Sequence, residues 1–133
     1  MKNNKDEEQI LVVKSDIIFK KEKWQGLKTD NLDYCIDLIK NNCEFKRRGD
    51  MENDPSFQQI IPYALFNYKD KYFVYKYLEN AGEKRLVDHC QVGVGGHINK
   101  DDINSGQDIL EQGMMREWNE EVDFRGNLLQ KKL

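Results

Sequence analysis

The sequence lacks the features of membrane, secreted and disulfide-rich proteins. No apolar run approaches the roughly 20 residues that span a bilayer, and the polar residues 1–9 contain no apolar core of a secretory signal. The three cysteines, Cys35, Cys43 and Cys90, show no CxxC spacing, which argues against a disulfide framework or a zinc knuckle. We therefore expect a cytoplasmic protein with reduced thiols and no membrane partner.

An excess of one charge is also absent. The chain has 21 basic and 24 acidic residues, for a formal net charge of −3, so no general positive field would attract a nucleic acid and none is expected as a partner. Its 133 residues are 38% hydrophobic. That is enough for one small core, and residues 1–133 are predicted to form a single domain.

The N-terminal half contains several apolar clusters with turn formers between them. Residues 10–13 and 16–19 are β-prone and predict a strand or a small hairpin. Helical spacing of apolar residues predicts a helix over roughly 30–42. Residues 45–56 carry charges and turn formers, which indicate a loop; its basic cluster is either solvated, the simpler interpretation, or an anion-binding patch.

Aromatic and β-branched residues dominate the middle of the sequence. Residues 60–68 and 72–77 flank a short polar break, which predicts a hairpin. A turn is predicted at residues 80–83, and residues 89–98 read as a strand that enters a glycine-rich turn. Within that turn, His97 has no visible partner and is interpreted as a turn residue.

The clearest helix is predicted over about residues 106–122. Ser105 is expected to cap it, with Asp108 completing a capping box. Apolar residues then recur every fourth position and form one face, on which Trp118 is interpreted as core, while Gly113 would permit a close approach to the sheet. The members of this face are Leu110, Met114, Trp118 and Val122.

Three glutamates on this helix could bind a metal ion. Glu117, Glu120 and Glu121 occupy positions i, i+3 and i+4, so their like charges are neighbours and repel. A divalent cation would make this clustering favourable, and oxygen ligands suit Mg²⁺ or Mn²⁺. The alternative is a solvated acidic face. In residues 106–124 Arg116 is the lone basic residue among six acidic ones, so a polyphosphate would need metal ions to approach.

The order of these features resembles the Nudix box, G-x5-E-x7-R-E-U-x-E-E-x-G-U, in which U is a bulky apolar residue. The segment from Arg116 to Glu121, together with Phe124, matches its R, E, U, E, E and final U positions. Three positions depart from the pattern. Asp108 stands in place of the first Glu, Asp123 replaces the late Gly, and the Gly95-Gly96 pair lies about six residues too far upstream.

The resemblance implies an α/β fold, a Nudix-like α/β/α sandwich with a mixed β-sheet. One face of the sheet would carry the helix at 106–122, and another surface would carry the helix near 30–42. Only residues 123–133 follow the box helix, and residues 128–133 offer at most one more strand. The fold is therefore expected to be incomplete at its C-terminus, with open sheet edges that favour a homodimer.

The resemblance also assigns roles to individual residues. The three glutamates would be metal ligands, and one of them, directly or through a water at the metal, would activate the attacking water. Gly95 would offer a carbonyl to the metal, and Gly95 and Gly96 would contact the substrate phosphates. Arg116 would orient the glutamates, with Asp108 in the same ion-pair network.

The implied function is Mg²⁺-dependent hydrolysis of a pyrophosphate linkage. The substrate would be a nucleoside diphosphate linked to another moiety, or a related organic pyrophosphate. Two alternatives stay open: a Nudix-like module or inactive fragment that binds a nucleotide without turnover, and an enzyme similar to the isoprenoid diphosphate isomerases. The latter would need a cysteine near the site, and the sequence does not place Cys90 there.

Overall fold

The computed structural model describes residues 5–78, 87–104 and 106–132. The predicted turn at 80–83 and the predicted cap Ser105 lie outside the described residues. The helices are α1 Ser15–Ile18, α2 Leu32–Asn42, α3 Arg48–Met51 and α4 Ile109–Glu121. The strands are β1 Gln9–Lys14, β2 Glu44–Arg47, β3 Phe57–Gln59, β4 Tyr63–Leu65, β5 Asn67–Tyr68, β6 Lys71–Tyr72, β7 Tyr75–Lys76, β8 Cys90–Gln91 and β9 Gly93–Gly95.

Strand β1 is the centre of the fold. It lies between β2 and β3 in a three-stranded antiparallel sheet, and its four central residues, Ile10 to Val13, are 0% exposed. The backbone N–H of Leu11 also donates to the carbonyl of Ile98 at 2.9 Å. A strand with four consecutive buried apolar residues must be covered on both faces, because successive side chains point to opposite sides of the sheet.

Two separate clusters cover these faces. Ile10 and Val12 pack with Met51 of α3, while Leu11 packs with Ile98 and with Leu110 of α4. Side chains of α2 join the Leu11 cluster, so α2 and α4 share one face of the sheet. The expectation that α2 covers another surface was wrong, because its Ile36 and Ile39 pack into the same cluster as Leu110.

The second half of the chain forms pairs of short strands. Residues Lys69 and Asp70 connect β5 to β6 with positive φ values of 48° and 61°, as a two-residue hairpin turn requires. The predicted hairpin is confirmed. Strand β4 pairs with β9, and β7 pairs with β8. Every strand pair in the described residues is antiparallel, so these strands do not form the mixed sheet that the resemblance implied.

In the N-terminal half, the strand predicted at residues 10–13 is confirmed as β1. The alternative of a small hairpin was wrong, because residues 15–18 form α1 and the Ser15 Oγ donates to the carbonyl of Pro55 at 2.8 Å. The loop predicted at 45–56 was also wrong, because this segment contains β2 and α3. Both elements depend on β1 and the residues before it: β2 pairs with β1, and the backbone N–H of Arg48 in α3 donates to the carbonyl of Glu8 at 2.8 Å.

The box helix and the C-terminal segment complete the fold. Gly113 of α4 lies directly against Ile98, where an added Cβ would meet the Ile98 side chain at 2.5 Å, which confirms the predicted close approach. Residues 128–132 form no strand. Within the described parts of the chain, no helix is long and apolar enough to cross a membrane.

Candidate active site

Helix α4 begins at Ile109, three residues later than predicted. Asp108 is its N-cap, and the Asp108 carboxylate accepts the backbone N–H groups of Leu110 at 3.0 Å and Glu111 at 3.3 Å. The same carboxylate forms an ion pair with Lys40 of α2. The hydrogen bond from Lys40 lowers the pKa of Asp108. Asp108 therefore starts the helix and ties it to α2.

The close contact at Gly113 brings the next turn of α4 against the exit of β9. There the Glu117 carboxylate lies so near Gly96 that an added Cβ on Gly96 would be 2.2 Å from it. The Glu117 side chain is 14% exposed. Burial raises the pKa of Glu117, and the neighbouring Arg116 opposes this rise. Glycine at position 96 thus makes room for a partly buried carboxylate.

Arg116 is the centre of the ion-pair network. Its Nε donates to Asp102 at 2.6 Å, its Nη2 lies 2.9 Å from Glu117, and its Nη1 lies 3.0 Å from Glu120. Nη2 also donates to the backbone carbonyl of His97 at 2.7 Å. Burial alone would lower the pKa of Arg116, but these carboxylates raise it overall. The guanidinium therefore stays charged and holds two of the three predicted metal ligands.

The acidic partner of Arg116 is Asp102, a residue that the sequence reasoning missed. Asp108 was expected in this network, and that expectation was wrong, since the Asp108 side chain caps α4 and binds Lys40 instead. The Asp102 side chain is 5% exposed and also accepts the N–H of Asn99 at 2.8 Å. The sequence does contain a pattern that indicates Asp102: it follows Gly96 by six residues, which is the G-x5-E spacing of the Nudix box. The roughly six residues by which this box is longer than the pattern therefore lie between Asp102 and Arg116.

The donor atoms suit Mg²⁺ or Mn²⁺, although they are not gathered into a formed site. Among the described residues, no three His, Cys, Asp or Glu side chains converge as metal ligands do. Glu120, with its side chain 59% exposed, and Glu121 both face solvent. Hard carboxylate oxygens are the ligands that these cations prefer, and the space that Gly96 leaves for Glu117 is compatible with such a site.

The glycines of β9 serve close packing. A Cβ on Gly95 would lie 2.4 Å from the carbonyl of Pro62, and a Cβ on Gly93 would lie 2.3 Å from the Tyr63 ring. Side chains at these positions would push β4 away from β9. The predicted roles of Gly95 and Gly96 toward metal and phosphate stay predictions.

An aromatic cluster lies at the C-terminal end of α4. The Trp118 ring centroid is 6.0 Å from that of Phe66 and 6.3 Å from that of Phe124. The three rings line a cavity of about 190 Å³. At its edge the Tyr75 hydroxyl donates to the carbonyl of Gly93 at 2.9 Å, and burial is the main cause of the raised pKa of Tyr75. Trp118 is thus half-buried among aromatic side chains.

His97 has a partner that the sequence did not reveal. Its ring Nε2 lies 2.6 Å from Oε1 of Gln59, and burial lowers the pKa of His97. Gln59 lies 38 residues earlier in the chain, so no local pattern could have indicated this contact.

Two known proteins are similar to this chain. No family model matches the chain. Protein YmaB of Bacillus subtilis is 35% identical over 125 residues, which are 90% of this chain and 61% of that protein. The crystal structure of Tm1382, described as a candidate Nudix hydrolase, superposes with a TM-score of 0.68 at 27% identity and covers 87% of this chain.

The similarity to Tm1382 supports the resemblance of this chain to the Nudix family. Its α/β Nudix-like fold is confirmed by the Tm1382 structure. The chain spans 61% of YmaB and 58% of Tm1382, less than two-thirds of either protein. The activities of these longer proteins are therefore not transferred to the chain. Its activity is inferred from its own residues.

Proposed function

We propose that this chain hydrolyses a pyrophosphate linkage with the help of Mg²⁺ or Mn²⁺. The substrate class is a nucleoside diphosphate linked to another moiety, or a related organic pyrophosphate. One observation carries the proposal: Arg116 holds Glu117 and Glu120 at the exit of β9, where Gly96 leaves space for the Glu117 carboxylate. The similarity to Tm1382 supports the general class of reaction.

The metal ligands would be the carboxylates of Glu117, Glu120 and Glu121, with the carbonyl of Gly95. A bound divalent cation would neutralise charge on the diphosphate oxygens as the phosphorus–oxygen bond breaks. Arg116 would keep its contacts with Asp102 and the His97 carbonyl and would so keep the Glu117 carboxylate beside Gly96.

The hydrolysis itself combines a substitution at phosphorus with a proton transfer. The oxygen of an attacking water forms a new bond to phosphorus, the bridging phosphorus–oxygen bond breaks and releases the other phosphate, and a carboxylate takes the proton of the water. Glu120 and Glu121 are exposed, so both can reach a solvent molecule. Glu117 is paired with Arg116 and partly buried, which suits a ligand that must stay fixed.

A second candidate function is nucleotide binding without turnover. The observation that favours it is the lack of three converging ligands among the described residues, since a binding module has no need of a metal-loaded base. The isomerase-like alternative is less well supported. Cys90 lies on β8 opposite Lys76 and is exposed to solvent.

The test is a hydrolysis assay with ADP-ribose, a nucleoside diphosphate sugar and an alkyl diphosphate. We expect phosphate-containing products with Mg²⁺ and none with EDTA. Glu120→Gln should lower the rate by about 10²–10⁴-fold, the usual contribution of a general base. Glu111→Gln, on the same helix and paired with Lys131, is the matched control. Binding without products would favour the module, and equal rates for both variants would contradict the proposed role of Glu120.

A further inference from the structure

The His97 side chain is held by residues far outside the box. Gln59 donates through Nε2 to the carbonyl of Met51 at 3.3 Å, so its Oε1 faces His97. The Nε2–H of His97 therefore donates to Oε1 of Gln59 at 2.6 Å. This bond connects the exit of β9 to β3, one of the two edge strands of the central sheet.

The backbone of the same residue holds Arg116. The His97 carbonyl accepts Nη2 of Arg116 at 2.7 Å, and that nitrogen also lies 2.9 Å from Glu117. The next residue, Ile98, is 0% exposed and binds Leu11 through its carbonyl. The peptide that Arg116 contacts is thus fixed on one side by the core and on the other by the His97 ring.

We propose that His97 and Gln59 are positioning residues that fix the Arg116 guanidinium and, through it, the Glu117 carboxylate. The functional consequence, tighter binding of a divalent cation, rests on the proposed function. Neither residue is assigned a contact with the substrate. Loss of the ring contact would let the His97 peptide rotate, and Arg116 would lose a fixed acceptor.

Gln58 offers a matched control on the same strand. It donates through Nε2 to Oγ of Ser15 at 2.8 Å, so it makes a side-chain hydrogen bond of the same kind. Adjacent residues of a strand point to opposite faces, and the Gln58 bond leads to the start of α1 rather than to Arg116. Removing it should cost stability without moving the site.

The first experiment is a titration of the chain with Mn²⁺ alone, followed by paramagnetic resonance. We expect His97→Ala and Gln59→Ala each to weaken Mn²⁺ binding about tenfold. This is the lower end of the loss in metal affinity that follows when a residue supporting a metal ligand is removed. The double variant should be no weaker than either single one. Gln58→Ala should bind as the wild type does, and His97→Gln should restore most of the affinity because its amide also donates.

The second readout requires no metal: the NMR signal of the Arg116 Nε–H group. In His97→Ala and Gln59→Ala this signal should shift and exchange faster, while thermal unfolding shows that each variant is folded. Unchanged signals together with unchanged Mn²⁺ affinity, or equal effects in Gln58→Ala, would overturn the proposal. If the wild type binds no Mn²⁺, the proposed function fails, and the Arg116 signal alone decides the role of His97 and Gln59.

Discussion

Asp102 and Arg116 form an ion pair of 2.6 Å in which the carboxylate is only 5% exposed. We predict that Asp102→Asn lowers the free energy of unfolding by about 1.5–3 kcal/mol, the usual range for a hydrogen bond to a charged group. Urea unfolding measures this change. Asp101→Asn, at an exposed neighbouring position, should change stability by less than about 0.5 kcal/mol. Equal effects of the two variants would show that the pair contributes nothing specific.

We predict different effects of alanine at two glycines, Gly96 after β9 and Gly113 within α4. Gly96→Ala should displace the Glu117 carboxylate, since the new Cβ would lie 2.2 Å from it, and Mn²⁺ affinity should fall at least tenfold. Gly113→Ala meets the Ile98 side chain at 2.5 Å and should cost about 1–3 kcal/mol through overpacking. Calorimetry and metal titration separate these effects. Normal Mn²⁺ affinity in Gly96→Ala would contradict the placement of Glu117.

The ion pair between Asp108 and Lys40 predicts a pH dependence of stability. Lys40 lowers the pKa of Asp108 in the folded chain below its ordinary value of 3.8. A carboxyl with a lowered folded pKa stabilises the fold fully above its unfolded pKa and loses that contribution as pH falls through the folded pKa. Asp108→Asn keeps a good N-cap but removes the charge, so it should be less stable at pH 7.

At pH 3 or below, the difference in unfolding free energy between wild type and Asp108→Asn should shrink. Chemical unfolding at both pH values measures it. A difference that stays the same at low pH would mean that the ion pair is not its cause.

Self-association is predicted through the open edge of β4. In the described sheets β4 has one neighbour, β9, and its residues Tyr63 and Leu65 are 52% and 54% exposed. Unpaired edges with apolar side chains favour pairing with a second chain. Analytical ultracentrifugation should find dimers at micromolar concentration. Leu65→Lys should disrupt them, whereas Leu27→Lys, at a leucine 92% exposed, should not; a monomeric wild type would contradict the prediction.

Local sequence patterns predicted the elements that depend on near neighbours. The helical spacing of apolar residues indicated α2 and α4, and the polar break at Lys69 indicated the β5–β6 hairpin. Elements that depend on distant pairing were missed. Strand β2 has three charged residues among its four and forms because it pairs with β1, and its Arg47 bonds Glu7, 40 residues away.

The candidate site also combines features that depend on near neighbours with features that depend on distant contacts. The positions of Glu117, Glu120 and Glu121 follow from the box pattern, because three residues in one helix keep their spacing. The acidic partner of Arg116 is found by counting six residues on from Gly96, which gives Asp102. Counting eight residues back from Arg116 gives Asp108 instead, because the box is lengthened between Asp102 and α4. The contact between His97 and Gln59 joins separate strands and has no local signature.

Mn²⁺ binding, followed by paramagnetic resonance, tests whether the three glutamates of α4 form a metal site. The wild type is compared with Glu117→Gln, Glu120→Gln and Glu121→Gln, and with Glu111→Gln as a control on the same helix. We predict that the wild type and Glu111→Gln bind alike, while each of the other three loses at least tenfold in affinity. Equal, weak binding by all five proteins would contradict the claim and show that these glutamates form a solvated helix face.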